Sequence, residues 1–172
     1  MNNTLSKWGI EQAGHQDGES ILTLLKERAS YLKSKGSEQW SFLLTGNEDD
    51  ELLELITKGL FYKMTIKDDH DLVATFMLSS VQEDWDVHLW GESIEVDTVY
   101  LHKLAVALKY KGNGIGDILL NWIIQHAIEL GNRRIRLDCV AGSMKLRRLY
   151  EENGFKLIEV VHDHCLYELE LR

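Results

Sequence analysis

Residues Lys109–Trp122 read KYKGNGIGDILLNW, with Gly112, Gly114 and Gly116 alternating with Asn113 and Ile115 just ahead of an apolar run of helical spacing. The extended segment DTVYLHKLAVA precedes them. A strand that passes through small residues into a helix presents unpaired backbone N–H groups at the positive end of the helix dipole, an arrangement suited to phosphate oxygens. Glycine lets those amides come within contact distance of a ligand. The spacing G-x-G-x-G departs from the dinucleotide fingerprint G-x-G-x-x-G, and no Gly-Lys-Ser/Thr follows, so both NAD and ATP are disfavoured. The glycines alone are equally compatible with a tight strand-to-helix turn. The flanking segments decide between the two.

Downstream, IGDILLNWIIQHAIELG predicts a helix whose polar residues Asp117, Asn121, Gln125 and Glu129 fall on one i, i+4 stripe, so most of its surface is expected to be buried. RIRLDCV alternates Ile135, Leu137 and Cys139 with Arg134, Arg136 and Asp138 as a strand does. SMKLRRLYEEN predicts a helix stopped by Asn153 and Gly154, and FKLIEVV and CLYELEL supply two closing strands. Upstream, a first strand is expected near Thr4 to Gln12. The segment ILTLLKERASYLKSKG then sets Ile21, Leu24, Leu25, Ala29 and Leu32 at helical spacing before Gly36. EDDELLELITKG reads as a short helix with acidic residues at its positive end and Gly59 at its stop. FYKMTIKDDHDLVATFMLSSV reads as a hairpin turning at Asp68, Asp69, His70 and Asp71, and QEDWDVHLWGESIEVD as an acidic, tryptophan-bearing loop. This order describes an α/β fold with helices on both faces of a sheet.

The chain has 172 residues, 44 % of them hydrophobic, enough for one domain with its own core. Its net charge of −9 argues against a broad electrostatic grip on nucleic acid or an anionic membrane, and favours a cationic small substrate. No segment approaches the ~20 apolar residues of a membrane span, and the first residues carry no export-type apolar run, so a cytoplasmic protein is expected. Cys139 and Cys165 match neither a disulfide framework nor a zinc site and are expected to be reduced core residues, with no metal bound. Proline is absent, and neither a repeat nor a low-complexity linker interrupts the chain.

Lys111, Gly114 and Gly116 occupy the pattern Gln/Arg-x-x-Gly-x-Gly/Ala, and here the sequence resembles the GNAT superfamily of N-acetyltransferases. YLHKLAV looks like that family's central splayed strand, and RLDCVAGSMKLRRLYEENGF like its second cofactor segment, so the resemblance runs from about Val99 to Phe155. It implies a single acetyltransferase-like domain over residues 1–172, with a mixed, mostly antiparallel central sheet and a splayed central strand. It also implies acetyl-CoA as co-substrate. Lys111, Gly112, Asn113, Gly114, Ile115 and Gly116 would receive its pyrophosphate. The backbone of Leu104, Ala105 and Val106 would pair with the pantetheine arm. Two positions depart from the pattern. Lys111 replaces Gln or Arg, keeping a positive charge, and Ser143 stands where many members have Asn, as a competent helix cap that could still bond the cofactor. Members of the family are often dimers, so a homodimer is a further implication.

Acetyl transfer to an amine needs a neutral amine, a partner for the developing oxyanion and a proton for the departing thiolate. The resemblance assigns the proton to Tyr150, seven residues from Ser143 and so on the same helix face, and the oxyanion to the backbone N–H of Leu104. A phenol of ordinary pKa ~10 is roughly matched to a thiol of about 8–10. Glu95, Asp97 and His102 are the candidate bases, His102 sharing strand parity with Tyr100 and Leu104. Substrate selection falls to Trp85, Glu95 and Asp97, because carboxylates interleaved with aromatic faces attract an ammonium ion. A small-molecule amine is the expected acceptor. Acetylation of a protein N-terminus or lysine, or acyl-CoA binding without turnover, are the alternatives.

Overall fold

The structure, a computed structural model, describes residues 7–172. Seven strands form a sheet in the order β1-β2-β3-β4-β5-β7-β6. Its one parallel pair among the described residues is β4 with β5, as expected of a mixed, mostly antiparallel sheet. Contacts divide the chain into two compact units, Met1–Met77 with Lys103–Ile115, and Leu78–His102 with Gly116–Arg172.

In the first unit, β1 (Trp8–Gln12) realises the expected first strand, while Thr4, Leu5 and Ser6 lie outside the described residues. It pairs antiparallel with β2 (Phe61–Ile66), from Trp8↔Ile66 to Gln12↔Tyr62. β2 turns back into β3 (Leu72–Ser79) through His70, held at φ 56°. Helix α1 (Gly18–Ser34) buries Ile21, Leu24, Leu25 and Ala29, the stripe its spacing predicts, and the chain leaves it through Gly36 at φ 83°. Helix α2 (Asp49–Thr57) buries Leu52 and Ile56, and its acidic first turn meets Lys26 of α1 at 2.6 Å from Asp49. With Leu43, Phe61, Met77 and Ala105 these side chains make one core. Each fully buried aliphatic side chain contributes about 1.5–3 kcal/mol.

In the second unit, the expected acidic loop contains helix α3 (Asp84–Trp90). The Asp86 carboxylate accepts the Glu83 N–H at 2.9 Å and so closes the start of the helix, in which only Asp86 and Leu89 are buried. The seven-residue helix is too short for its periodicity to stand out among the flanking acids. Strand β4 (Thr98–Val106) begins here and is paired with β5 (Arg134–Val140) only from Thr98↔Arg134 to Tyr100↔Arg136. The register of β4 with β5 ends at Tyr100↔Arg136. Helix α4 (Ile115–Glu129) leaves Asp117, Asn121, Gln125 and Glu129 exposed and buries Leu119, Leu120, Ile123 and Ala127. Helix α5 (Met144–Glu152) is followed by β6 (Lys156–Val161) and β7 (His164–Glu170), the latter antiparallel to β5 with Cys139 opposite Cys165. Both cysteines are free and buried.

Candidate active site

The three glycines of the loop are required for two different reasons. Gly112 and Gly114 adopt φ 83° and 70°, the left-handed region in which side chains are strained, and a Cβ on either would meet nothing within 4 Å. Conformation, not crowding, selects glycine there, and the space where a side chain would lie is open. Gly116 has an ordinary φ, but a Cβ would lie 3.2 Å from Leu149 Cδ2 of α5, so its smallness serves packing. Asn113 braces the loop by donating to the Tyr110 carbonyl at 3.0 Å, and Ile115 anchors it with a side chain 2 % exposed. Lys111 is exposed; its ammonium donates to the Tyr31 hydroxyl and lies 4.5 Å from the centroid of that ring.

On β4, Ala105 is buried, and Leu104 and Val106 are half-buried. Lys103 between them and His102 sits at φ 55° inside the strand. A left-handed residue breaks the two-residue alternation, so the parity expected to link His102 with Leu104 does not carry across it.

His102 has a partner that the sequence did not reveal. Its Nε2 lies 3.0 Å from Oδ2 of Asp86, a carboxylate that is 1 % exposed and also accepts the Glu83 N–H at 2.9 Å. With the carboxylate as acceptor, the tautomer that makes this contact carries its proton on Nε2 and has its Nδ1 lone pair free. The other two candidate bases are bound to arginines. Glu95 accepts from Arg134 and lies 3.5 Å from Arg136, and the Arg134 hydrogen bond holds its carboxyl below the usual range. Asp97 lies 3.4 Å from Arg133 Nε.

Tyr150 is 5 % exposed, with its ring 5.9 Å from Phe155 and 6.0 Å from Tyr167. Its hydroxyl makes no hydrogen bond among the described residues. Burial, reinforced by Cys139 and Asp138, pushes the phenol above its ordinary value. It therefore stays protonated at neutral pH, and the match to a thiol drawn from a solvated phenol is looser than expected. Ser143 caps α5, accepting the Leu146 N–H at 3.4 Å.

Trp85 is 41 % exposed and donates from Nε1 to Asp138 at 3.2 Å, and the same carboxylate oxygen takes His164 Nδ1 at 3.0 Å. His88 stacks on Trp85 at 5.5 Å and on His162 at 4.7 Å. His162 and Asp163 hold φ 47° and 63° in the β6–β7 turn. That pair of left-handed residues favours Asn-Gly, so nothing in the sequence flagged the turn as the holder of an imidazole. Among the described residues no three His, Cys, Asp or Glu side chains gather as a metal ion requires, and no helix is long and apolar enough to cross a membrane.

Residues 23–155 match the acetyltransferase (GNAT) family. The chain is 37 % identical over 160 residues to the uncharacterized N-acetyltransferase YesJ of Bacillus subtilis (strain 168), covering 92 % of this chain and 88 % of that one. A GNAT-family acetyltransferase of Listeria monocytogenes 4b F2365 has a similar structure, with TM-score 0.81 and 27 % identity over 95 % of both chains. The PaiA N-acetyltransferase of Thermoplasma acidophilum, solved in complex with coenzyme A, shares the fold at TM-score 0.74 and 19 % identity, over 95 % of this chain and 98 % of that one. The family match from α1 to the end of α5, with a relative 37 % identical along most of the chain, shows that the protein belongs to the acetyltransferase (GNAT) family.

Proposed function

We propose that residues 1–172 act as a single acetyltransferase-like domain that moves the acetyl group of acetyl-CoA to a primary amine of a small molecule by direct attack. The observation that carries this reading is the His102–Asp86 contact of 3.0 Å, a buried carboxylate orienting an imidazole whose other nitrogen makes no hydrogen bond among the described residues. An alkylammonium acceptor has a pKa near ~10 and must lose a proton before it can attack. His102 Nδ1 takes it, and Asp86 stabilises the imidazolium that forms.

The glycine loop fits the co-substrate because its amides border open space where Gly112 and Gly114 carry no side chain. Lys111, Gly112, Asn113, Gly114, Ile115 and Gly116 hold the pyrophosphate, and the backbone of Leu104, Ala105 and Val106 bonds the pantetheine arm. Acetyl-CoA supplies the activated acetyl thioester. The Leu104 N–H donates to the oxygen that gains charge, and Tyr150, kept protonated by burial, gives its proton to the departing sulfur. Ser143 fixes the start of α5, the helix that carries Tyr150. Trp85, with its half-exposed ring, offers an aromatic face to the ammonium group, while Glu95 and Asp97, assigned with it from the sequence, carry charge already paired with Arg134, Arg136 and Arg133. Free, buried Cys139 and Cys165 suit a reducing cytoplasm.

The test is a panel of primary amines, including polyamines, aminoglycosides and amino-acid derivatives, with release of free CoA thiol measured against an amine-free control. Amine-dependent release supports the reading. Release only with peptides bearing a free N-terminus or lysine moves the acceptor to protein, and tight acetyl-CoA binding with no release from any amine refutes catalysis.

A further inference from the structure

Tyr31, on the last turns of α1, is surrounded by positive charge. Lys111 Nζ lies 4.5 Å from its ring centroid, Arg28 Cζ 5.3 Å and Lys35 Nζ 5.6 Å. Lys111 also donates to the phenol oxygen. None of the three cations forms an ion pair among the described residues, although the chain carries 28 acidic residues against 19 Lys and Arg. Arg28 Nη1 is shielded from solvent with no hydrogen-bond partner among the described residues.

A cation near the C-terminal end of a helix is ordinarily explained by the helix dipole. That accounts for Lys35. It does not account for Lys111, which arrives from the loop 80 positions away, nor for a guanidinium nitrogen buried without an acceptor, which costs the donor its water and returns nothing. The three charges lie within 5.6 Å of the Tyr31 ring centroid, so no two are farther apart than about 11 Å, close to the screening length of about 8–10 Å, and they repel one another. The Tyr31 ring offsets part of that repulsion through its π-face. A doubly charged anion would offset far more and would give Arg28 Nη1 its acceptor. Two side effects agree: burial pulls the Arg28 guanidinium below its ordinary value, and the Lys111 hydrogen bond, helped by charge from Lys35 and Arg28, pulls the Tyr31 phenol down.

We infer that Arg28, Lys35 and Lys111, gathered around Tyr31, form a phosphomonoester site that takes the 3′-phosphate of CoA. This rests on the acetyl-CoA reading, because Lys111 opens the glycine loop assigned to the pyrophosphate. A phosphomonoester carries nearly two charges at neutral pH and three strong acceptor oxygens, enough for a guanidinium and two ammonium groups. The two charges of the pyrophosphate are spread over two phosphorus centres facing the loop amides, whereas the three cations converge on one ring and suit a single phosphate group. The site would make the enzyme discriminate between CoA and its dephospho form.

The experiment is calorimetric titration of the full chain with acetyl-CoA and with acetyl-3′-dephospho-CoA, repeated on Arg28→Gln and Lys35→Gln at low and moderate salt. Melting temperatures are recorded on the same samples. Wild type is expected to bind the dephospho form about 10- to 100-fold more weakly, and the gap to shrink with salt. Each variant should lose about 5- to 20-fold in acetyl-CoA affinity while binding the dephospho form as wild type does. Lys35 is exposed, so Lys35→Gln provides a variant whose folding is not in question. Equal wild-type affinity for the two ligands overturns the inference and leaves the cofactor reading intact. Discrimination that survives in both variants also overturns it, since the phosphate is then read elsewhere. Binding of neither ligand overturns both. Adenosine 3′,5′-bisphosphate and AMP serve as competitors, and only the former is expected to displace acetyl-CoA.

Discussion

Replacing Asp86 tests whether His102 acts as a base. The carboxylate is 1 % exposed, and its Oδ2 accepts both His102 Nε2–H at 3.0 Å and the Glu83 N–H at 2.9 Å. In Asp86→Asn the amide oxygen can still meet both donors, so the imidazole keeps its tautomer but loses its charged partner. A hydrogen bond to a charged group contributes about 1.5–3 kcal/mol and a neutral one about 0.5–1.5. The difference, about 1–1.5 kcal/mol, corresponds to a rate lower by about tenfold. Asp86→Ala removes the acceptor altogether. The ring is then free to turn, and a loss approaching the ~10²-fold lower end of general-base catalysis is expected. That variant also loses a helix cap, so its melting temperature should fall by what ~1 kcal/mol implies. The assay is thiol release at saturating acetyl-CoA with an alkylamine acceptor, from pH 7 to pH 10. Near pH ~10 the amine is already half neutral and needs no base, so the deficit of both variants should narrow as pH rises. A weakly basic acceptor should show little deficit even at pH 7. A deficit that is constant across pH, and equal for strongly and weakly basic amines, would refute the base assignment and leave Asp86 a cap of α3 and nothing more.

Tyr150→Phe should lower single-turnover acetyl transfer by about 10²–10⁴-fold with little change in acetyl-CoA affinity; a wild-type rate limited by chemistry would remove Tyr150 from the reaction. Because burial raises the folded-state value of this phenol above the ordinary 10.0, the stability it contributes is complete below the unfolded value and is lost as pH rises through the folded one. Wild type should therefore melt earlier with rising pH relative to Tyr150→Phe only above pH about 10, and any alkaline limb set by Tyr150 should also lie there. Gly114→Val forces a β-branched residue into φ 70° and should weaken acetyl-CoA binding by calorimetry at a strain of about 1–3 kcal/mol, whereas Gly116→Val should chiefly lower melting temperature through Leu149; the reverse pattern would show that the loop assignment is inverted. Burial and the adjacent Cys165 push the Cys139 thiol up to about 12, and Cys165 is itself 0 % exposed, so neither thiol should react with an aromatic disulfide reagent at pH 8 until denaturant is added, and rapid reaction of the native protein would contradict the buried pair.

Where one periodicity dominates a long segment, the sequence was readable. The stripe of α1, the narrow polar stripe of α4 and the strict alternation of β5 each repeat a single physical demand over seven or more residues. α3 was missed because seven residues supply too few repeats, and because its start depends on one acid, Asp86, accepting the Glu83 N–H in a stretch full of acids. The parity argument for His102 failed for a related reason. Alternation is a rule about neighbours that share a backbone conformation, and Lys103 at φ 55° leaves that conformation with no glycine or asparagine to announce it.

The site was legible to the extent that its chemistry resides in the backbone. Gly112 and Gly114 stood out in the sequence as positions without a side chain, and the structure supplies a conformational reason, the left-handed φ that both adopt. Gly116 belongs to the same apparent motif for an unrelated reason, the approach of Leu149, which only the packing of α5 reveals. Side-chain partnerships between distant segments carried no local signal. Asp86 is one of several acids in its segment until the fold sets it 3.0 Å from His102, sixteen positions away. Lys111 is a conservative departure from a motif until it reaches Tyr31 beside Arg28 and Lys35. Residues whose role is conformational can be read from sequence, because conformation is a local property; residues whose role is a partner must wait for the partner. The assignments most open to refutation, Asp86 and the cations around Tyr31, are accordingly those that the sequence alone could not have made.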